Sequence, residues 1–213
     1  MTISINGHPI HYRETQRWPS LIVTAGRQAG KRPCFVIDLD KKRKYAILQT
    51  LERGADCFTD YHTAAKELVR AAVLLAKKYG MQTLELMDTS HIRCPERVSL
   101  ANLSFLTSGQ TWYERIIPLQ PAKPRITAAA RVNATQNTWA TVLDNMAQPA
   151  CELFAALPTN DIDITLPGSA MQVLNLAKKD AKSCHLFSIY MDDLLAASRI
   201  PDFDHSTWTH IIE

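Results

Sequence analysis

A helical pattern set between two apolar runs constrains the fold of this chain more than any other feature. Apolar residues recur at helical spacing from Ala65 to Tyr79, and basic residues occupy other positions. Thr59 or Asp60 is placed to cap the start of this helix, and Gly80 is placed to end it in the left-handed region. The runs YAILQTL before the helix and TLELM after it are typical of strands. This order predicts a crossover between two parallel strands of one sheet.

Two hairpin patterns precede the helix. Asn6 and Gly7 lie between alternating positions, and both residues tolerate the positive φ that a tight hairpin turn needs. Further along, CFVIDLD and YAILQTL flank the charged turn KKRK, and SLIVTAG is a further strand pattern. The predicted fold class is therefore α+β, with a mixed, largely antiparallel sheet and a central helix.

The second half of the chain is predicted to be a helical C-terminal extension. Helical patterns occur in NTWATVLDNM, ACELFAAL, SAMQVLNLAKKDAK and CHLFSIYMDDLLAAS, with prolines between them. The three prolines of PLQPAKPRI indicate an extended connection. The predicted domains are an α+β core at 1–117, a Pro-rich connection at 118–126 and a helical extension at 127–213 that packs on the core. The tail PDFDHSTWTHIIE is predicted to be irregular.

The composition is that of a globular intracellular protein. Hydrophobic residues make up 46% and charged residues 21% of the chain, which are ordinary globular values. No apolar run approaches the length of a membrane span, and the N-terminus lacks the progression of a signal peptide. The five cysteines are scattered and odd in number, which predicts reduced thiols in the cytoplasm or nucleus.

Charge is distributed unevenly along the chain, although the net charge is only +3. Aspartates accumulate near the C-terminus, and basic residues accumulate in the early loops. Such asymmetry indicates either a basic binding face for a partner protein or for nucleic acid, or two regions of the chain that attract each other. The predicted binding residues are Arg27, Lys31, Arg32, Lys41, Lys42, Arg43 and Lys44.

The densest polar cluster runs from Asp88 to Cys94, at the C-terminal end of the TLELM strand. Ligands of open α/β sheets bind beyond the carboxyl ends of strands, so this position suits a site. One hypothesis has Asp88 orienting His91 beside a nucleophilic Cys94, and the other is an ordinary polar turn. His8 and His11 have the spacing of two metal ligands but no second pair, and we predict no metal site.

The segment LTSGQTWYE carries the most specific pattern in the chain. Preceded by a helix ending KKYG and the strand LELMDTS, it resembles a recurring motif in an uncharacterised family of proteins from large DNA viruses of eukaryotes. The family motif reads approximately Leu-Thr-x-Gly-Lys-Thr-Trp-Tyr-Glu, and Gln110 stands at its lysine position. The resemblance implies a viral protein located in the infected cell or the virion. The matching residues are Leu106, Thr107, Gly109, Thr111, Trp112, Tyr113 and Glu114.

The order of elements between Cys34 and Ile116 is similar to the central part of GNAT-type N-acetyltransferases. In that family, backbone amides after a strand hold the pyrophosphate of coenzyme A, and a later tyrosine acts as general acid. The resemblance implies acetyl-CoA as cofactor, Gly54 and Thr59 as cofactor-binding residues, and Tyr113 as the catalytic residue.

These observations give three functional hypotheses. We favour a non-enzymatic interaction or structural protein that binds protein partners of the virion or host through its basic loops and acidic end. The alternative is a GNAT-like acyltransferase that uses acetyl-CoA. A second alternative is nucleic-acid binding through the basic N-terminal loops. None of the three involves a membrane.

Overall fold

The computed structural model describes residues 1–5, 8–17, 20–25, 33–51, 64–94, 96–159 and 161–213. These residues form two compact units. Unit 1 comprises Met1–Met87, Ile116–Gln120 and Thr207–Glu213, and unit 2 comprises Asp88–Arg115 and Pro121–Ser206. Neither unit is one continuous segment, whereas each predicted domain is.

The described residues contain ten strands, seven helices and one short 3-10 helix. The strands are β1 (Thr2–Ile5), β2 (His8–Arg17), β3 (Ser20–Ala25), β4 (Phe35–Asp40), β5 (Tyr45–Leu51), β6 (Thr83–Asp88), β7 (His91–Arg93), β8 (Arg97–Ser99), β9 (Gln120–Pro121) and β10 (Ser206–Ile211). The helices are α1 (Ala64–Lys78), α2 (Leu100–Ser108), α3 (Pro124–Gln136), α4 (Trp139–Asp144), α5 (Ala150–Ala155), α6 (Ser169–Ala177) and α7 (Ala181–Ala197), with the 3-10 helix at Tyr113–Arg115.

Unit 1 is built on an eight-stranded sheet in the order β1-β2-β3-β4-β5-β6-β10-β9. The first five strands pair antiparallel with their neighbours, and β5 pairs parallel with β6. The helix α1 connects these two parallel strands. The predicted α+β class, the mixed and largely antiparallel sheet, the hairpins and the crossover are therefore confirmed.

The core of unit 1 follows from two residue periodicities. Alternate side chains of β4 are buried, including Phe35 and Ile37, because successive residues of a strand point to opposite faces. On α1, Leu68 and Leu75 are buried two turns apart, and the helix packs on β4 and β5. The helix ends at Lys78, and Gly80 two residues later has φ +73°, a left-handed conformation that is less favourable for other residues, as predicted.

Unit 2 contains the small β7–β8 hairpin and helices α2 to α7. Two aromatic contacts organise its core. Phe105 stacks on Phe203 with ring centroids 4.2 Å apart, and Trp139 meets Phe154 edge-on at 6.3 Å. Helix α2 packs on α3, α6 and α7. None of the described helices is long and apolar enough to cross a membrane.

Two segments differ from their predicted local structure. The predicted extended connection includes Pro124, which begins α3 at a position where its missing N–H is not needed. The predicted irregular tail instead contains β10, which lies between β6 and β9 in the sheet. The segment STWTHI is rich in β-branched and aromatic residues that favour strands, so its composition already indicated β10, whereas its partners β6 and β9 are far away in sequence.

The prediction that all cysteines are reduced thiols is wrong. Cys94 and Cys184 form a disulfide across a sequence separation of 90 residues, with their Cα atoms 5.5 Å apart. Cys34 is also disulfide-bonded, and Cys151 is the free cysteine among the described residues. Spacing along the chain does not reveal which thiols the fold brings together.

Candidate functional site

The first half of the LTSGQTWYE motif ends helix α2. Leu106 is buried in the core, and the hydroxyl of Thr107 donates a hydrogen bond of 2.8 Å to the carbonyl oxygen of Leu103. Gly109 follows the helix with φ +67°, and its N–H donates to the carbonyl oxygen of Phe105 at 2.7 Å. A left-handed residue at this position satisfies a carbonyl that the helix leaves open.

The second half of the motif forms a reciprocal cap on the 3-10 helix. The N–H of Thr111 donates to Oε2 of Glu114 at 2.8 Å, and the N–H of Glu114 donates to Oγ1 of Thr111 at 3.4 Å. The other carboxylate oxygen of Glu114 accepts a hydrogen bond from Arg131 of α3. The side chain of Glu114 is only 7% exposed, so this carboxylate is occupied by structural contacts on both oxygens.

Tyr113, the predicted general acid, is buried between these contacts and is only 5% exposed. Its ring meets Trp112 edge-on with centroids 4.9 Å apart. Burial and the nearby Asp88 raise the pKa of its phenol above the usual value. A general acid must reach its substrate, and the closed surroundings of Tyr113 offer little surface for this. Its catalytic role stays a prediction.

Asp88 is the one carboxyl of the predicted polar cluster, and it is buried. Its Oδ1 accepts hydrogen bonds from the N–H and the hydroxyl of Ser90, and its Oδ2 has no partner among the described residues. Burial raises the pKa of Asp88 despite the opposing hydrogen bonds from Ser90, and Asp204 raises it further. Asp88 therefore resists ionisation.

His91 and Cys94 do not form the hypothetical nucleophilic pair. Cys94 has no free thiol because it is bonded to Cys184. His91 lies on β7, with Nε2 3.4 Å from Oδ2 of Asp204 and Nδ1 2.6 Å from the carbonyl oxygen of Thr89. Both ring nitrogens thus have polar neighbours inside unit 2. The segment His91–Arg93 is a short strand of a hairpin rather than a turn.

Replacing Asp88 with Asn tests the cost of this buried carboxyl. The folded protein holds the Asp88 proton more tightly than the unfolded chain, so stability falls as pH rises above the ordinary value of 3.8. An uncharged amide is less costly to bury and keeps an oxygen for Ser90. We expect Asp88→Asn to raise the free energy of unfolding at neutral pH by about 1 kcal/mol.

Urea denaturation at several pH values measures this effect. The gain should disappear below pH 3.8, where Asp88 is protonated in the folded and unfolded states alike. Asp192→Asn, on the exposed surface of α7, is the matched control and should change little. A loss of stability in Asp88→Asn at neutral pH would show that the charge of Asp88 supports the fold.

The predicted basic residues Lys41 to Lys44 form the exposed turn between β4 and β5. Arg43 makes an ion pair with Asp40, with Nε and Oδ2 3.6 Å apart. Nζ of Lys41 lies 5.8 Å from the centroid of the Tyr79 ring. The carbonyl oxygen of Lys44 accepts a hydrogen bond from the N–H of Gln82 at 2.8 Å. These contacts place the turn beside the C-terminal end of α1.

This position joins two basic segments that are separate in sequence. Lys77 and Lys78 occupy the last turn of α1, where positive charge also interacts favourably with the helix dipole. We call the combined surface the basic end of unit 1. It comprises Lys41, Lys42, Arg43, Lys44, Lys77 and Lys78. The sequence pattern indicated the turn but not its meeting with the lysines of α1.

Several predicted site residues lie outside the described part of the chain. They are Arg27, Lys31, Arg32, Gly54 and Thr59. The predicted binding of acetyl-CoA at Gly54 and Thr59 therefore stays a prediction. Among the described His, Cys, Asp and Glu residues, no group of three or more could hold a metal ion.

Between Cys34 and Ile116 the elements follow the order β4, β5, α1, β6, β7, β8, α2 and the 3-10 helix, so the β7–β8 hairpin lies between the second strand and the second helix of the order on which the GNAT resemblance rests. The motif on which the viral resemblance rests is held by helix ends and by the Glu114 cap described above. Both resemblances stay predictions about origin and activity. Comparison of the chain with protein-family models, curated proteins and solved structures gives no match.

Proposed function

We propose that this protein acts by binding rather than by catalysis, and that the basic end of unit 1 contacts an acidic partner protein. The observation that carries this proposal is the meeting of the β4–β5 turn with the last turn of α1. This meeting gathers positive side chains from two segments on one surface. Charge concentrated in this way raises the association rate with an acidic partner, and it repels proteins whose contact surface is basic.

Most of this charge is not neutralised within the unit. Among the described residues, Arg43 is the one member of the basic end in an ion pair. Lys78 donates to the hydroxyl of Tyr12 at 2.6 Å, which orients its amine without cancelling its charge. Lys42 and Lys77 are exposed to solvent. The surface therefore keeps the charge that an acidic partner would neutralise.

Two further points support binding by a non-enzymatic protein. In the LTSGQTWYE motif the carboxylate of Glu114 is engaged in structural bonds and Tyr113 is buried. In the polar cluster the sulfur of Cys94 is bonded to Cys184, so both segments offer little chemistry to a substrate. The resemblance to proteins of large DNA viruses supports a partner in the virion or in the host cell. Lysine side chains on a hairpin turn can also adapt to the shape of an acidic surface.

Charge reversal tests this proposal with poly-L-glutamate as the acidic probe. We expect Lys42→Glu/Lys77→Glu to weaken its binding by about tenfold or more, because two cations are replaced by anions in the contact surface. Neither lysine makes a described side-chain contact, so the variant should fold, with a stability loss of up to about 1 kcal/mol because Lys77→Glu places a negative charge at the C-terminal end of α1. Fluorescence anisotropy with labelled probe at low salt measures the affinity.

The matched control is Lys123→Glu/Arg125→Glu, which changes the net charge equally at exposed positions of unit 2. This control should bind the probe nearly as well as the wild type. If both double variants lose affinity equally, net charge rather than the basic end governs binding. Absence of binding by the folded wild type would contradict the proposal.

Nucleic-acid binding by the same surface is the second candidate function, favoured by the clustering of six cations without internal ion pairs for most of them. A short DNA duplex replaces the glutamate probe in this test. Six phosphate contacts would reduce the affinity about a thousandfold between about 50 and about 200 mM salt. Tighter binding of the duplex than of poly-L-glutamate, with this salt dependence, would favour nucleic acid over an acidic protein.

A further inference from the structure

Two positively charged side chains of unit 2 converge on hydroxyl groups of α2. Lys178, the residue that ends α6, donates from Nζ to Oγ1 of Thr107 at 3.2 Å. Arg115, the last residue of the 3-10 helix, donates from Nη2 to Oγ of Ser104 at 2.9 Å. Lys178, which is distant in sequence, thus meets the neighbouring α2 and 3-10 helix at one place on α2.

The geometry of α2 places these cations side by side. Ser104 and Thr107 are three residues apart in a helix, so their side chains share one face. Oγ1 of Thr107 lies 3.3 Å from the carbonyl oxygen of Ser104, and Ser108 donates to that same carbonyl at 2.7 Å. The ammonium and the guanidinium are consequently held on adjacent turns of one helix by short, ordered side chains.

The part of the chain that the structure describes places no acidic side chain in an ion pair with Lys178 or Arg115. Glu114, the acid next to Arg115 in sequence, is bound to Thr111 and Arg131 instead. Among the described residues, neither Lys178 nor Arg115 takes part in a salt bridge. Burial, together with the positive charges of Arg115 and Lys179, lowers the pKa of Lys178 below the usual value for lysine. Two neighbouring cations without a counter-charge repel each other, and an anion bound between them would offset this repulsion.

The cations also have donors to spare. An ammonium has three N–H donors and a guanidinium has five, and the contacts with Thr107 and Ser104 use one of each. A phosphate group carries about 1.5 to 2 negative charges at neutral pH, which is closer to the charge of two cations than the single negative charge of a carboxylate. Its several oxygens also suit donors that approach from different segments.

We propose that Arg115 and Lys178, held by Ser104 and Thr107, form a binding site for a phosphate group in unit 2. The group is either free phosphate or a phosphoryl group attached to a protein chain, since both present the same oxygens. This site shares no residue with the basic end of unit 1, so the two proposals can fail independently.

Calorimetric titration of the full chain at low salt tests this site, with inorganic phosphate and phosphoserine as ligands. Lys178→Met and Arg115→Met keep apolar stems but remove the charges, and each should weaken phosphate binding about tenfold. Thr107→Val keeps both charges but removes the hydroxyl that orients Lys178, and it should also weaken binding. Far-UV circular dichroism and urea denaturation confirm that each variant is folded.

Two control variants distinguish binding at this site from nonspecific electrostatic attraction of phosphate to the protein. Lys179→Met removes an exposed neighbouring charge and should reduce the affinity less than about threefold. Lys66→Met removes an exposed charge of unit 1 outside the basic end and should leave phosphate binding unchanged. Tighter binding of phosphoserine indicates a phosphorylated chain as the ligand, and equal binding indicates the free anion.

Three results would overturn the proposal. The first is no heat of phosphate binding with folded wild-type protein. The second is an equal loss of affinity in Lys179→Met and Lys178→Met, which would show that general charge governs binding. The third is acetate binding as tightly as phosphate, which would show that the site does not prefer a doubly charged anion.

Discussion

Removal of the Cys94–Cys184 disulfide is expected to lower the free energy of unfolding by about 4–5 kcal/mol. The bond closes a loop with a sequence separation of 90 residues, and opening it gives the unfolded chain much more conformational freedom. The double variant Cys94→Ala/Cys184→Ala is the appropriate change. Chemical reduction would also open the disulfide of Cys34 and would mix two effects. Urea denaturation under non-reducing conditions measures the difference.

Cys151→Ala is the matched control, since Cys151 is a free cysteine of the same unit. It should shift the denaturation midpoint only slightly. Mass spectrometry of the untreated protein after proteolysis should identify a peptide pair joined through Cys94 and Cys184. An unchanged midpoint in the double variant would mean that this bond does not constrain the unfolded chain.

Glu114→Ala is expected to cost about 3 kcal/mol of unfolding free energy. This change removes the carboxylate that caps the N–H of Thr111 and leaves Arg131 without its anionic partner. Arg131 is partly buried and its Nε already has no acceptor among the described residues, so water compensates the loss only in part. Thermal and urea denaturation measure the effect.

Glu96→Ala, which removes an exposed carboxylate of unit 2, is the control and should change stability by less than about 0.5 kcal/mol. A double-mutant cycle with Arg131→Ala separates the ion pair from the cap. If the loss of unfolding free energy in the double variant equals the sum of the losses in the two single variants, the ion pair contributes nothing to stability. The lost cap then explains the effect of Glu114→Ala. A small effect of Glu114→Ala would instead leave the motif residues free for a functional role.

The elements that could be predicted from sequence are those specified by local chemistry. The β1–β2 and β4–β5 hairpins follow from turn residues between alternating strands, and α1 follows from apolar spacing with Gly80 at its end. Helices α4 to α7 carry enough apolar residues to show their period. In each case the residues that determine the element lie within it or directly beside it.

Helix α3 shows why local reasoning fails elsewhere. Its buried face consists of Thr127, Ala130 and Ala134, whose small side chains give almost no hydrophobic signal. Its outer face carries Val132, which is 60% exposed and confuses the periodicity further. The helix is stabilised by its packing on α2 and α6, and such packing cannot be seen in one segment.

The same limit applies to the candidate sites. The last turn of α1 lies beside the Lys41–Lys44 turn only because the sheet and α1 bring the two segments together. Arg115 and Lys178 meet on α2 from positions 63 residues apart by their numbering. The Cys94–Cys184 disulfide likewise joins residues that are distant in sequence and that only the fold brings together. Residue types and spacing can identify functional groups that lie within one helix, strand or turn. They do not predict groups that tertiary packing brings together.

The position of β10 has a consequence for synthesis of the chain on the ribosome. The strands β1 to β6 emerge first, and their sheet then ends at β6 with its backbone groups unpaired until residues 206–211 are made. Nearly all of unit 2 is translated during this interval. An uncovered strand edge attracts other strands, so the nascent protein passes through a stage exposed to misassociation, and arrival of β10 ends it.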